Sequence, residues 1–346
     1  MGTSELAELL SDRPDARWRA KQIAKWLYEK AADRFEAMDD LPLALRTELA
    51  SRFVSHPIRV VERLKAPDGT EKLLVQGETE GVFECVLFPT SARTGCCISS
   101  QVGCPMGCAF CATGLGGFDR NLTAGEIVGQ YLALQRIAPK RISHIVFMGM
   151  GEPLLNYANV LKAIDLFKTE VGISARHITV STVGLAPQIR KLAREKLQIH
   201  LALSLHSPFD EIRGRLMPVN RTYPIDEVMD AMREYYLATR RKITIEYLLI
   251  AGVTDTLDQA EALAKLVKGV PNVVNLIPFN TVKTEQGFER PNKEAVRAFR
   301  CVLESMGVNV TQRVERGHRI AAACGQLAGR HHGKRRGDLS EKPVRS

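Results

Sequence analysis

Three cysteines, Cys104, Cys108 and Cys111, stand in the run Gln101-Val102-Gly103-Cys104-Pro105-Met106-Gly107-Cys108-Ala109-Phe110-Cys111. Three thiolates on one short loop suit three irons of a four-iron cluster, one thiolate to each. The fourth iron is then left without a protein ligand, and its open positions can bind a small molecule and pass it an electron. The positions i, i+4 and i+7 would also share one helix face. Pro105 and the glycines at 103 and 107 oppose a regular helix there. A structural zinc site wants a fourth ligand close by, usually from a second pair. The remaining cysteines supply no such pair downstream, so the open cluster is the favoured reading.

A second chemical group stands near the other end, in Ala321-Ala322-Ala323-Cys324-Gly325-Gln326-Leu327. A cysteine among small residues lets a bulky partner reach its sulfur. Taken alone, a free cysteine more often packs as a small hydrophobe. Cys96 and Cys97 lie just upstream of the cluster loop. If the chain crosses the site there, one of these thiols meets Cys324. A thiol beside a sulfur-linked intermediate can release it by exchange-type attack.

The elements that must position these groups fall into four segments. Residues 1–56 read as a helical accessory domain, with Trp18, Ile23, Trp26 and Leu27, then Leu41, Leu43, Leu45 and Leu49, at helical spacing. Basic residues nearby (Arg19, Lys21, Lys25, Lys30) suit either nucleic-acid phosphates or a solvated face. Residues 57–94 change period and read as a β-strand adaptor. Ile58–Leu64 and Lys72–Val75 flank the turn Pro67-Asp68-Gly69-Thr70, and Val82–Phe88 adds a third strand. Across 95–329, strand-like runs at His144–Met148, His177–Val180, His200–Ser204, Ile243–Leu248 and Val273–Ile277 alternate with helical patterns at about 123–137, 157–169, 225–238, 257–268 and 292–306. That alternation predicts an α/β fold of βα units around a parallel sheet, a partial six-unit barrel in preference to a closed eight. Gly149–Glu152, Ser181–Gly184, Ser204–His206 and Pro278–Asn280 then fall at strand C-terminal ends, where βα barrels gather their active sites.

The chain has 346 residues, 45% hydrophobic and 25% charged, as expected of a folded protein with one main and one smaller domain. Its net charge of +9 and pI near 9.2 favour a polyanionic partner. Residues 330–346 hold six Lys or Arg against two Asp or Glu, a tail of +4 that reads as basic and disordered. No run of eighteen apolar residues predicts a membrane span, and the N-terminus lacks a signal-peptide pattern. Leu6 replaces the Ser or Thr that myristoylation needs. An oxygen-sensitive cluster with reactive thiols wants a reducing compartment, so a cytoplasmic monomer with no membrane partner is expected.

Seven segments together resemble the RlmN/Cfr-type radical S-adenosylmethionine (SAM) RNA methyltransferases, with the dual-specificity RlmN group the nearer branch. They are Cys97–Cys104, Gly116–Leu122, Met148–Asn156, Ser181–Gly184, Ser204-Leu205-His206, Leu276–Asn280 and Ala322–Leu327, and the likeness runs from about Trp18 to Gly329. The resemblance implies a partial (βα)6 TIM-like radical SAM barrel with an N-terminal helical module and a small β extension. It implies a [4Fe-4S] cluster on Cys104, Cys108 and Cys111, and SAM consumed twice per turnover. Gly151 and Glu152 would bind the SAM amino group. Ser181, Ser204, Leu205, His206 and Asn280 would make the further SAM contacts, although a lone His after an apolar strand is more often a hydrogen-bonded core residue.

The resemblance also implies the order of chemistry. Cys324 takes a methyl group from SAM, and a 5'-deoxyadenosyl radical then removes a hydrogen from it. The sulfur-bound carbon adds to an adenine ring turned out of its stack. Glu84, thirteen residues before Cys97, takes the ring proton. Cys97 attacks the Cys324 sulfur and frees the product, leaving a disulfide to be reduced. Cys85, Cys96 and Cys301 are expected to be packing or bystander cysteines. The implied partners are 23S rRNA, possibly also tRNA, and an electron donor such as flavodoxin or ferredoxin. Methylation at carbon 2 is expected. Methylation at carbon 8, another reaction of the superfamily, and a non-catalytic RNA-binding metal protein are the alternatives. One departure is Arg319, where members commonly carry an acidic residue before Ile; it bears on RNA contacts and not on the cysteines.

Overall fold

Apolar residues at helical spacing fold the N-terminal stretch into three short helices, α1 (Thr3–Leu9), α2 (Ala16–Ala24) and α3 (Leu43–Arg52). The structure, a computed structural model, describes residues 1–90, 93–282, 286–313 and 316–329, so the basic tail lies outside the described residues. Ile23, Leu45 and Leu49 are buried as their spacing predicts. Trp18 is not: it is 55% exposed, and the Arg19 guanidinium stacks 4.3 Å from its ring centroid. Five residues before Ile23 is about 140° round a helix, which takes Trp18 off the buried face. Lys21, Lys25 and Lys30 are also exposed.

The change to period two produces β1 (Ile58–Lys65), β2 (Glu71–Gly77) and β3 (Val82–Pro89), an antiparallel meander. β3 then pairs antiparallel with β4 (Thr94–Cys97), and β4 pairs parallel with β7 (Ile142–Phe147). The adaptor is therefore continuous with the main sheet, and β4 is the joint between two kinds of pairing. Between β4 and β7 the chain makes β5 (Gln101–Gly103), the cysteine loop, α4 (Ala112–Leu115), β6 (Phe118–Asn121) and α5 (Ala124–Ile137). β5 and β6 form their own two-stranded ribbon around the loop.

The parallel units follow as α6 (Tyr157–Thr169), β8 (Ile178–Thr182), α7 (Ala186–Arg194), β9 (His200–Ser204), α8 (Asp210–Leu216), α9 (Ile225–Thr239), β10 (Ile243–Leu249), α10 (Leu257–Leu266), β11 (Asn272–Pro278), α11 (Lys293–Ser305) and β12 (Val310–Gln312). The ten-stranded order is β1-β2-β3-β4-β7-β8-β9-β10-β11-β12, with β1 and β12 at its edges, so the sheet is open as a partial barrel requires. Ile145, Val180, Leu201, Ile245 and Leu276 are almost fully buried, as parallel strands covered by helices should be. Each such side chain contributes about 1.5–3 kcal/mol. The helices expected from the sequence all form. α8, β4 and β12 are too short to have shown a period, whereas α7 is not among the expected helices although its buried Ala186, Ile189, Leu192 and Ala193 recur at helical spacing.

Candidate active site

The cysteine loop is held before any cofactor is considered. Gly103 adopts φ +76°, and a Cβ there would meet the Gly117 carbonyl oxygen at 2.1 Å; Cys104 N donates to that same oxygen at 2.8 Å. Arg120 on β6 makes a two-pronged pair with Glu126 (2.9 and 2.7 Å). Glu126 in turn closes the capping box of α5 with Thr123. The loop's exit is thus tied to the first long helix of the barrel.

Cys108 is buried, and Cys104 and Cys111 are half-buried. Burial pushes the Cys104 thiol up to about 12 and the Cys108 thiol well above its usual value, with neighbouring thiols adding to both. Coordination offsets this, because a metal-bound thiol is deprotonated outright. Among the described residues no three His, Cys, Asp or Glu converge closely enough to hold a single metal ion. Three soft thiolate donors carried on one short loop are the donor set that an iron–sulfur cluster takes.

An open cleft with both apolar and polar walls lies beside the loop. Cys111, Gly151, Glu152, Ser181, Ser204, His206, Asn280 and Cys324 all line it. Four of these segments stand at the C-terminal ends of β7, β8, β9 and β11. Gly151 has φ +98°, and a Cβ there would lie 2.5 Å from Gln101 Cβ, so only glycine lets this turn close on β5. Gln101 Oε1 accepts from Glu152 N at 2.8 Å. The Glu152 carboxylate accepts from Leu154 N (3.0 Å) and Val183 N (2.9 Å), yet burial pushes its pKa up to about 7. A buried carboxylate short of positive charge is a fitting seat for an ammonium group.

His206 sits at φ +62°, accepts from Leu248 N at Nδ1 (3.0 Å), and meets Phe110 of the cysteine loop edge-on at 4.9 Å. Burial pulls its pKa down to about 3, so the ring is neutral. It is both a bonded core residue and a wall of the cleft. Asn280 Nδ2 donates to Cys324 O at 3.1 Å, while its Oδ1 is buried without a partner among the described residues. An orphaned acceptor at the cleft is what a ligand donor would satisfy. Ser181 and Ser204 face each other at 3.5 Å. Leu205 is the exception: its side chain is fully buried and does not line the cleft, because alternation along the chain turns it away from its neighbours.

A second cavity of about 900 Å³ adjoins the first, and Cys324 lines both. Cys97 lines the second together with Thr70, Val86 and Arg316. Cys96 points the other way into the core and is fully buried, as is Cys85, while Cys301 is exposed. Burial pushes Cys97 up to about 12 and raises Cys324. Arg313, which lines both cavities, opposes the rise at each sulfur and is itself held charged chiefly by Cys324. Glu84 shares its strand face with Val86 but does not line the cavity. Its carboxylate is 2% exposed, paired with Lys72 at 2.9 Å and accepting from Ala328 N at 2.8 Å. Arg319 is exposed on the turn His318–Ile320.

Several contributors were not singled out individually from the sequence. Arg213 is fully buried and donates to Leu205 O (3.1 Å), Val183 O (2.6 Å) and Asn220 Oδ1 (2.6 Å), bolting the ends of β8 and β9 together. Asn156 bridges Ser100 O and Leu122 O on either side of the cysteine loop. Glu246 lines the first cleft and is held by Asn275 at 2.8 Å. A lone acid inside the apolar run Ile245-Glu246-Tyr247 was the available clue.

Comparison with known proteins agrees with this geometry. The Radical SAM superfamily matches residues 98–267, and the N-terminal domain of ribosomal RNA large subunit methyltransferases matches residues 1–54. A probable dual-specificity RNA methyltransferase RlmN of Rhodopirellula baltica is 46% identical over 93% of this chain and 88% of its own length. One from Symbiobacterium thermophilum is 46% identical over 97% of this chain and 92% of its own. The crystal structure of a radical SAM methyltransferase from Sphaerobacter thermophilus superposes with a TM-score of 0.92 at 43% identity, covering 95% of this chain and 98% of that one.

Proposed function

The chain belongs to the RlmN-type radical SAM RNA methyltransferases, and from that premise we propose that it methylates carbon 2 of an adenine in 23S rRNA, and of tRNA, through an S-methylcysteine on Cys324. The observation that carries the reading is that Cys324 lines both cavities, one beside Cys111 and the other shared with Cys97. A group carried on that sulfur faces the cofactor cleft on one side and a base-sized space on the other.

Cys104, Cys108 and Cys111 would hold the [4Fe-4S] cluster, and Gly151, Glu152, Ser181, Ser204, His206 and Asn280 would hold SAM, with Leu205 contributing through its backbone. When bound, the cluster and two molecules of SAM supply a methyl group and a hydrogen-abstracting radical. Cys324, as thiolate, takes the methyl group, and Arg313 favours that thiolate. Once the methyl group has lost a hydrogen atom, its carbon bonds to the adenine ring and links RNA to Cys324, and the one electron left over on the adduct would return to the cluster that Cys104, Cys108 and Cys111 hold. Glu84 lines neither cavity, so it takes the proton from the ring carbon by way of a bridging water. Cys97, as thiolate, then attacks the Cys324 sulfur, the electron pair of the carbon–sulfur bond passes to the product, whose methylene carbon gains a proton from solvent to become the methyl group, and a Cys97–Cys324 disulfide remains for an external reductant. The thiols are unpaired in the structure, as the start of such a cycle requires. The detour through sulfur suits a ring carbon that is itself electrophilic and cannot attack SAM directly.

The same reading places the helical segment 1–56 on RNA through exposed Lys21, Lys25 and Lys30, the adaptor 57–94 behind Cys97, and the chemistry in 95–329. It expects a monomer in the cytoplasm served by flavodoxin or ferredoxin. Among the described residues no helix is long and apolar enough to cross a membrane. Identifying the methylated nucleoside formed from unmodified ribosomal RNA tests the proposal. 2-Methyladenosine supports it, and 8-methyladenosine moves the chain to the other branch.

A further inference from the structure

The segment that carries Cys324 has almost no regular structure of its own. From Gly317 to Gly329 it contains one 3-10 turn, and Gly317, Ala321, Gly325 and Gly329 all have positive φ. Ala321 is a non-glycine residue at φ +48°, a conformation that persists only where surroundings impose it. Its carbonyl oxygen accepts from Lys72 Nζ at 3.1 Å. Lys72 Nζ also pairs with Glu84 at 2.9 Å. The other oxygen of Glu84 accepts from Ala328 N at 2.8 Å and Gly329 N at 3.4 Å. One buried ion pair thus grips the segment three residues before Cys324 and again four and five residues after it.

Lysine is almost never buried unless paired, yet the Lys72 side chain is only 7% exposed. On its strand face its neighbours are Leu74 and Val86, which are apolar. An apolar residue would serve the sheet alone as well, since a buried ion pair fixes geometry more readily than it adds stability. The polar partners of Lys72 are the catalytic carboxylate and the Cys324 segment.

We propose that Lys72 is a positioning residue for the methyl-carrying thiol, forming with Glu84 a charge-operated latch that holds the Cys324 segment and opens when Glu84 takes up a proton. This rests on the reading of Glu84 as base and Cys324 as carrier. Ionised Glu84 holds Lys72 with one oxygen and the amides of Ala328 and Gly329 with the other. The proton leaving the adenine ring carbon neutralises it, which removes the ion pair and weakens its hold on the amides. The two ends of the segment are freed at the step in which Cys97 must reach the Cys324 sulfur, with the bonds from Ala112 N to Gly325 O (2.8 Å) and from Thr113 Oγ1 to Leu327 O (2.6 Å) left as its pivot. Before that step the latch keeps Cys324 facing the cofactor cleft. The same carboxylate therefore reports completion of carbon–carbon bonding to the loop that has to move next.

The test is hydrogen–deuterium exchange on the full-length protein, comparing wild type with Lys72→Met, Lys72→Arg and Glu84→Gln, alongside single-turnover methylation. Lys72→Met and Glu84→Gln should each raise exchange across 321–329 by about tenfold or more while leaving β7 to β11 protected. Lys72→Met should lower the single-turnover rate about 100-fold with RNA affinity kept within about twofold, and Lys72→Arg should restore most of both losses. Unchanged exchange at 321–329 in Lys72→Met and Glu84→Gln overturns the latch. Exchange that rises throughout the molecule in all three variants, without rescue by arginine, also overturns it, because Lys72 is then a structural residue only. If the wild type makes 8-methyladenosine, the carbon-2 reading fails while the exchange result still decides the latch.

Discussion

The two cavities that meet at Cys324 are built differently. The cofactor side rests on the ends of parallel strands, with Glu152, Ser181, Ser204 and Asn280 each carried by a different one. Their spacing is set by backbone pairing and by buried braces such as Arg213 and Gln101. The other side combines an antiparallel meander with an irregular segment, tied by scattered contacts from Asp68, Lys72, Glu84, Ala112, Thr113 and Asn280. A rigid side suits a cofactor that must sit in one pose. On the proposed reading, a tethered side suits a thiol that has to face the cofactor, then a base, then Cys97.

Removing the thiol is the most drastic way to separate the sides. Cys324→Ala should keep the cluster's brown colour and absorbance while methyl-RNA formation falls to background. Full activity in that variant would remove the methylcysteine route. Arg213→Met should come next, through stability: it strands the Leu205 and Val183 carbonyls and Asn220, at about 3 kcal/mol by chemical denaturation. A change below about 0.5 kcal/mol would show that the cofactor side does not depend on its buried brace.

Glu152 gives a pH test of the cofactor side. Burial raises its carboxyl to about 7, so it ionises as pH rises through that value, and an ammonium group binds the ionised form. SAM affinity should therefore climb between pH 6 and 8. Glu152→Gln should abolish the slope and weaken binding roughly tenfold to a hundredfold. Calorimetric titration across that range checks both.

The smallest effect is expected away from both cavities. His56 is half-buried, but both of its ring nitrogens are shielded and unpartnered among the described residues, and desolvation lowers its pKa from 6.5 to about 4. The folded pKa lies below the unfolded one, so this contribution to stability is present above pH 6.5 and is lost as pH falls toward 4. His56→Gln should flatten part of the fall in melting temperature over that window. An unchanged profile would take His56 out of the account.

The same contrast explains what could be read in the sequence. Strands at Ile142–Phe147 and Asn272–Pro278 and helices at Ala124–Ile137 and Tyr157–Thr169 announce themselves by period. The cysteine loop announces itself by spacing. Trp18 lay within a helical pattern but outside the buried face. Lys72 and Arg213 were not legible, because charged residues normally signal surface and their burial depends on partners far along the chain. Lys72 meets Ala321 across 249 positions, and no local pattern encodes that contact. The placement of Glu84 was open for the same reason: its strand was evident, but the groups that hold its carboxylate were not.

The most direct test of the central claim is mass spectrometry of nucleosides from unmodified ribosomal RNA, treated anaerobically with reconstituted enzyme, reductant and methyl-deuterated SAM. The account predicts 2-methyladenosine whose new methyl group keeps two of its three deuteriums, since one leaves while the group is carried on Cys324. A product that keeps all three, or 8-methyladenosine in its place, would contradict it.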